Sequence, residues 1–89
     1  MSLYQVNNWI KISALYDEMS VLDARNGVYY QLNKSAQIMW NAILNEKNDE
    51  ESLKAIYRQV DGDKEEIQNE YQDFKKQLIN EGWIKRNEG

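Results

Sequence analysis

The pattern of apolar residues changes once along this 89-residue chain, near Asn33, from strand-like to helix-like. Before Asn33, short runs rich in β-branched and aromatic residues alternate in polarity, as half-buried strands do. After it, apolar residues recur at spacings of three and four, as on amphipathic helices. A chain this short cannot divide into two cores, so we expect residues 1–89 to form a single domain with a core over about residues 5–85.

Three strands are predicted in the first third of the chain. They cover Trp9–Ser13, Val21–Ala24 and Val28–Leu32, which are rich in Val, Ile, Leu and Tyr. Between the second and third runs lies an Asn-Gly pair within Arg25–Gly27. Asn and Gly best tolerate the positive φ angles of a tight hairpin. We therefore predict that the second and third strands form an antiparallel hairpin.

Three helices are predicted to follow, over about residues 33–45, 48–62 and 63–82. Each begins at an Asn or Asp that can act as an N-cap, and the second and third carry the Glu of a capping box. Gly62 and Gly82 end the last two helices. The apolar residues that share a face on the three helices are Ala36, Trp40, Ile43 and Leu44, then Leu53, Ile56, Tyr57 and Val60, then Ile67, Tyr71, Phe74 and Leu78.

The fold class predicted from this order is α+β, a three-stranded antiparallel sheet followed by three helices. The apolar face of a small sheet needs a cover, and the three amphipathic helices provide one. We expect the helices to be arranged like a helix-turn-helix. Trp83 and Ile84 are expected to fold back against the core, and residues 85–89 to form a frayed polar tail.

The composition argues against an enzyme. The chain has neither His nor Cys, which removes the commonest metal ligands, the thiol nucleophile and the side chain best suited to proton transfer near neutral pH. The remaining carboxylates, Lys, Tyr and Ser show no recognisable catalytic spacing. We therefore expect no catalytic residues, no metal and no cofactor.

The charge and hydropathy of the chain disfavour nucleic acid and membrane partners. The formal net charge is -4 and the sequence pI is about 4.8, whereas nucleic-acid binders present a basic stripe to phosphate. No apolar run approaches the length of a membrane span, and the N-terminus lacks the pattern of a signal peptide. These features predict a cytoplasmic protein.

A set of short motifs resembles the PqqD-like family of leader-peptide recognition proteins, also known as RiPP recognition elements. The set comprises Val21–Asp23, the run Gly27–Asn33, an apolar-Trp helix over residues 36–40, and residues 63–84 with their Gly-aromatic-Ile close. Each motif is weakly specific alone, but together they cover about residues 5–85 in order. Within this family, the residue sequence of Gly27–Asn33 and the stand-alone length of the chain most resemble the leader-binding proteins of lasso-peptide biosynthesis.

The resemblance implies a winged helix-turn-helix in which the leader of a ribosomally made precursor peptide adds as a strand to Val28–Leu32, against the last helix. It also implies partners, namely a leader peptidase and possibly a cyclase that receive the peptide. An edge strand offers unpaired N–H and C=O groups to an extended peptide, which agrees with this mode of binding. The residues predicted to bind peptide are Val28, Tyr29, Tyr30, Gln31, Leu32, Ile67, Tyr71, Phe74, Lys75 and Leu78.

Several alternatives remain open at the level of sequence. The apolar side chains of Val28–Leu32 and of residues 67–78 could serve the core alone, and the acidic residues of the third helix could simply be solvated. The protein could be a peptide chaperone of the quinone-cofactor type, serving a radical-SAM enzyme. It could also be a winged-helix DNA-binding regulator, or a subunit that binds a folded protein through the same apolar surface.

Overall fold

The computed structural model describes residues 2–87 of the chain. Within this range, five strands and three helices occur, and the predicted α+β class is confirmed: a three-stranded antiparallel sheet is followed by three helices. The elements are β1 (Tyr4–Val6), β2 (Ile10–Leu15), β3 (Glu18–Asp23), β4 (Val28–Leu32), α1 (Lys34–Asn45), α2 (Asp49–Gln59), α3 (Lys64–Asn80) and β5 (Ile84–Arg86).

The main sheet has the order β2-β3-β4, with both neighbouring pairs antiparallel. β4 has the predicted bounds, whereas β3 begins three residues earlier than the predicted Val21. The added residues include Glu18 and Ser20, which are polar, so apolar alternation does not indicate a strand there. They are strand because they pair with β2, from which they are separated by the two-residue turn of Tyr16 and Asp17.

The hairpin between β3 and β4 is confirmed, but its turn differs from the predicted one. The Asp23 carbonyl accepts bonds from the N–H groups of Asn26 (3.3 Å) and Gly27 (2.9 Å). Gly27 has φ +71° and Asn26 has no positive φ. The turn is thus longer than a two-residue Asn-Gly turn, and only its glycine needs the left-handed conformation. The Asn26 side chain instead accepts a bond from the Val28 N–H (3.0 Å).

Two of the three predicted helix caps form as expected. The side chains of Asn33 and Asn48 accept bonds from N–H groups in the first turns of α1 and α2, at 2.8 Å each. The predicted capping box at Asp63 is wrong, because this side chain makes no cap hydrogen bond. The first turn of α3 instead contains Glu65 and Glu66, whose negative charges are favourable at a helix N-terminus.

A second sheet joins the two ends of the chain. β1 pairs antiparallel with β5, with Val6 opposite Ile84, and the Asn87 N–H donates to the Leu3 carbonyl at 2.8 Å. The predicted frayed tail is therefore wrong for residues 85–87, and residues 88–89 of that prediction lie outside the described part of the chain. Two three-residue strands are too short to show alternation, so their pairing depends on tertiary contacts.

The core lies between the main sheet and the helices. Trp83 and Ile84 are buried in it, as predicted from the sequence. Its buried apolar residues are Ile10, Val21, Leu32, Met39, Trp40, Ala42, Ile43, Ile56, Ile67, Tyr71, Leu78, Trp83 and Ile84. α3 runs beside the open edge of β4, and the space between them is the site described next.

Candidate peptide-binding groove

A groove of about 270 Å³ lies between β4 and the C-terminal half of α3. Most of its surface is apolar, with Gln31, Gln77 and Glu81 as its polar members. The residues that line it are Tyr30, Gln31, Leu32, Phe74, Gln77, Leu78, Glu81 and Trp83. We call this space the β4–α3 groove.

Aromatic side chains form one wall of the groove and connect it to the core. The rings of Tyr30 and Trp83 meet edge to face with centroids 4.8 Å apart, and Trp83 meets Trp40 in the same way at 6.1 Å. Tyr30 remains 38% exposed whereas Trp83 is 6% exposed. The indole N–H of Trp83 is buried with no hydrogen-bond partner among residues 2–87. The wall is therefore buried at its base and accessible at Tyr30.

The backbone orientation of β3 follows from one hydrogen bond. The Ala24 N–H donates to the Trp9 carbonyl at 2.8 Å, so these residues form a hydrogen-bonded pair. Because such pairs alternate along an antiparallel ladder, Leu22 and Ser20 also bond toward β2. Val21 then directs its N–H and C=O groups toward β4. The bond from Gly27 N–H to the carbonyl of Asp23, two residues beyond Val21, agrees with this orientation.

The same alternation assigns the two sides of β4. Tyr30 lies opposite Val21 and therefore bonds toward β3. Its neighbours Tyr29 and Gln31 direct their N–H and C=O groups away from β3. β4 is an edge strand of its sheet among the described residues, so these groups face the open side next to the groove. The edge thus presents two donors and two acceptors to an extended chain.

Five of the ten residues predicted to bind peptide line the groove together. They are Tyr30, Gln31, Leu32, Phe74 and Leu78. Leu78 and Leu32 are also buried members of the core, whereas Phe74 is half-buried. A stripe on α3 therefore contributes to the core and to the groove at once.

The other five predicted residues lie outside the groove lining. Val28 is 41% exposed on the same sheet face as Tyr30, and Tyr29 is 71% exposed with its side chain on the opposite face. Ile67 and Tyr71 are buried in the core. Lys75 lies on the other flank of α3, where its side chain is 12% exposed.

A polar cluster surrounds Lys75 on that flank. The Asp49 carboxylate accepts hydrogen bonds from the Tyr71 hydroxyl (2.6 Å) and the Lys75 ammonium (2.8 Å). Burial raises the pKa of Asp49, but the hydrogen bonds from Lys75 and Tyr71, together with the positive charges of Lys75 and Arg86, lower it by more, so the pKa lies below its ordinary value. Burial, and then the bond to Asp49, raise the pKa of Tyr71 above its ordinary value. The cluster ties the start of α2 to the middle of α3.

Three residues that line the groove were not predicted to bind peptide. Gln77 and Glu81 follow Phe74 at spacings of three and seven, so helical geometry places them on its face. That spacing could have identified them, but their polarity excludes them from an apolar stripe. Trp83 was predicted to join the core, and its second role in the groove depends on how the chain turns after α3.

An arginine joins the hairpin before β4 to the end of α3. Arg25 donates to the Asp23 carboxylate through Nε (3.0 Å) and Nη2 (2.7 Å), and its Nη2 also donates to the Glu81 carbonyl at 2.6 Å. Its guanidinium lies over the Trp9 ring, 5.0 Å from the centroid. Hydrogen bonding from Arg25 lowers the pKa of Asp23 below its ordinary value, against the opposing effect of burial.

The family follows from a match between sequence and family model. Residues 18–84, about three quarters of the chain, match the model described as coenzyme PQQ synthesis protein D (PqqD). The chain belongs to the PqqD family. The matched range contains β3, β4 and all three helices, and hence every residue that lines the groove.

Two solved structures share the fold of this PqqD-family chain. One is TbiB1 in complex with the TbiA(beta) leader peptide, with a TM-score of 0.79, 20% identity, and coverage of 96% of this chain and 99% of that chain. The other is lasso peptide synthetase B1 complexed with the leader peptide, with a TM-score of 0.80, 17% identity, and coverage of 94% and 99%. No curated protein matches the chain in sequence.

The PqqD-family chain shows no arrangement that would hold a metal within residues 2–87, since no three acidic side chains converge there. No helix in the same range is long and apolar enough to cross a membrane.

Proposed function

We propose that this PqqD-family protein binds the leader segment of a ribosomally made precursor peptide in the β4–α3 groove. The observation that carries the proposal is the position of the outward backbone groups of Tyr29 and Gln31, beside an apolar groove of about 270 Å³. An extended peptide bonded to these groups would extend the sheet by one strand. It would cover an edge that is otherwise open to any strand.

The pleat of the sheet sets which peptide side chains enter the groove. Residues directly opposite one another in a ladder project to the same face. Peptide residues opposite Tyr30 and Leu32 therefore project toward α3, where Phe74 and Leu78 lie. The bound segment should carry two apolar residues separated by one position, while the residue between them faces outward beside Gln31.

The two solved structures with the same fold are both complexes with leader peptides, which supports a leader as the ligand. We assign the protein to the lasso type, in which it presents the leader to a processing enzyme, a leader peptidase or a cyclase, in the cytoplasm. The absence of His and Cys from the whole sequence is consistent with a protein that recognises a peptide and catalyses no reaction itself. Recognition and processing would then reside on different chains.

A peptide chaperone of the quinone-cofactor type is the second candidate, favoured by the description of the matching family model. The same groove would serve it. Titration with synthetic TbiA(beta) leader peptide separates the two candidates, because binding by this chain is expected only for the lasso type.

The test of the groove uses a peptide enriched from a random library by mRNA display on the wild-type protein, hereafter the selected peptide. Gln31→Pro removes one outward N–H, so it should bind this peptide about tenfold more weakly than Gln31→Ala. Tyr30→Pro removes an inward N–H and should instead lower the melting temperature relative to Tyr30→Ala. Isothermal titration calorimetry and circular dichroism measure the two effects. A folded Gln31→Pro variant that binds like Gln31→Ala contradicts strand addition to β4.

A further inference from the structure

We propose that Arg25 is a positioning residue of the β4–α3 groove, whose guanidinium sets the separation between β4 and the C-terminal end of α3. This inference rests on the proposed function. Arg25 lies three residues before β4, and it donates to the carbonyl of Glu81, which lines the opposite side of the groove. It thus joins the two elements between which a peptide would lie.

The contacts of Arg25 require a guanidinium. Its planar fork meets the nearly buried Asp23 carboxylate through two nitrogens, while Nη2 also reaches Glu81 and the flat face covers the Trp9 ring. A lysine ammonium is a point charge and cannot meet these partners in one geometry. Because Asp23 is the last residue of β3, this pairing fixes Arg25 relative to the sheet.

The chain after α3 is held from the other side as well. The Gly82 carbonyl accepts bonds from the side-chain N–H groups of Asn7 and Trp9, both at 2.8 Å. A Cβ at Gly82 would lie 3.0 Å from Nη1 of Arg25, and the residue has φ +76°. Arg25 and Gly82 are therefore in close contact. Loss of the guanidinium would remove its bond to Glu81, two residues before Trp83, and both of these residues line the groove.

The experiment compares Arg25→Met and Arg25→Lys with wild type and with the control Asp49→Asn. The Met variant keeps an unbranched apolar stem over Trp9, and the Lys variant keeps the charge, so a folding failure in one leaves the other. The control removes a charge from the polar cluster on the far flank of α3, outside the groove. Affinity for the selected peptide is measured by calorimetry at a temperature where circular dichroism shows every variant folded. The indole N–H resonance of Trp83 is recorded by NMR in the free proteins.

Both Arg25 variants should bind the selected peptide about tenfold more weakly than wild type and shift the Trp83 indole resonance, whereas Asp49→Asn should change neither. The inference is overturned if both Arg25 variants keep wild-type affinity, or if Asp49→Asn loses as much affinity as they do. If the wild-type protein enriches no peptide, the proposed function fails and this inference fails with it. If wild type binds and the Arg25 variants bind equally well, only the positioning role is lost.

Discussion

The two flanks of α3 differ in how far their polar groups and apolar surface are covered by partners within the protein. On one flank, Asp49, Tyr71 and Lys75 bond to one another, and little of the Lys75 side chain reaches solvent. On the other flank, Phe74 and the exposed part of Tyr30 leave apolar surface beside the outward backbone groups of β4. The polar groups of the first flank, hereafter the closed flank, have partners within the free protein. The second, hereafter the open flank, presents backbone groups and apolar surface that the proposed peptide would cover.

This difference separates residues that stabilise the domain from residues that we propose to bind peptide. Tyr71, Phe74 and Lys75 lie close together on the same helix, so sequence pattern alone assigns them together. They differ in whether their hydrogen-bond donors and acceptors and their apolar surface have partners in the folded protein. Substitutions on the closed flank should therefore change stability, and substitutions on the open flank should change peptide binding.

The largest effect is expected at Leu78, where the two roles overlap. Leu78 is 3% exposed, so Leu78→Glu places a charge in the core and should cost roughly 4 kcal/mol of unfolding free energy. A domain of this size has little more than that to lose. Thermal unfolding followed by circular dichroism should show a largely unfolded variant. A native-like melting curve would mean that Leu78 belongs to the groove and not to the core.

Phe74→Glu tests peptide binding with less effect on folding, because Phe74 is half-buried and lines the groove. The variant should remain folded while its affinity for the selected peptide falls by roughly 2 kcal/mol, since a bound apolar side chain would have to desolvate the new charge. Calorimetry measures the change, and Phe74→Leu serves as the matched control. Unchanged affinity in a folded Phe74→Glu variant would place the groove elsewhere.

The smallest effect is expected on the closed flank. Asp49→Asn weakens the bonds to Tyr71 and Lys75 and should cost about 1 kcal/mol of stability, a modest value because solvent reaches part of Asp49. Affinity for the selected peptide should not change. Chemical denaturation and calorimetry give the two quantities, and a loss of binding that matches Phe74→Glu would remove the distinction between the flanks.

The stability lost in Asp49→Asn should depend on pH, with a sign that follows from the pKa of Asp49. The pKa of Asp49 is lower in the folded state than its ordinary value of 3.8, so its contribution to stability is complete above that value. It is lost as the pH falls through the folded-state pKa. The stability difference between wild type and Asp49→Asn should therefore be constant near neutral pH and shrink below pH 3.8. A difference that grows with acid would contradict the assigned shift.

Much of the architecture is predictable because local chemistry and tertiary structure agree. β4 has the predicted bounds, and the Asn33 and Asn48 caps form as predicted, since each depends on residues close in sequence. The β1–β5 sheet was missed because its pairing joins residues about eighty positions apart. No local pattern in Tyr4–Val6 indicates such a partner.

The candidate site was predictable in outline only. Periodicity places Lys75 near the stripe of α3, but it does not reveal that Asp49 lies opposite its ammonium group. The role of Arg25 depends on the proximity of Glu81, fifty-six residues away in sequence. The outward orientation of the Tyr29 and Gln31 backbone groups follows from the hydrogen bond between the Ala24 N–H and the Trp9 carbonyl. No local sequence pattern indicates that bond.

Residue-resolved amide hydrogen exchange tests, without any substitution, whether a peptide bonds to the outward backbone groups of β4. In the free protein, the Tyr29 and Gln31 N–H groups should exchange rapidly, whereas the Tyr30 N–H, which faces β3, should already be protected. At saturating selected peptide, exchange at Tyr29 and Gln31 should slow by about tenfold or more, and Tyr30 should change far less. Rapid exchange at both Tyr29 and Gln31 in the fully bound protein would contradict strand addition to β4.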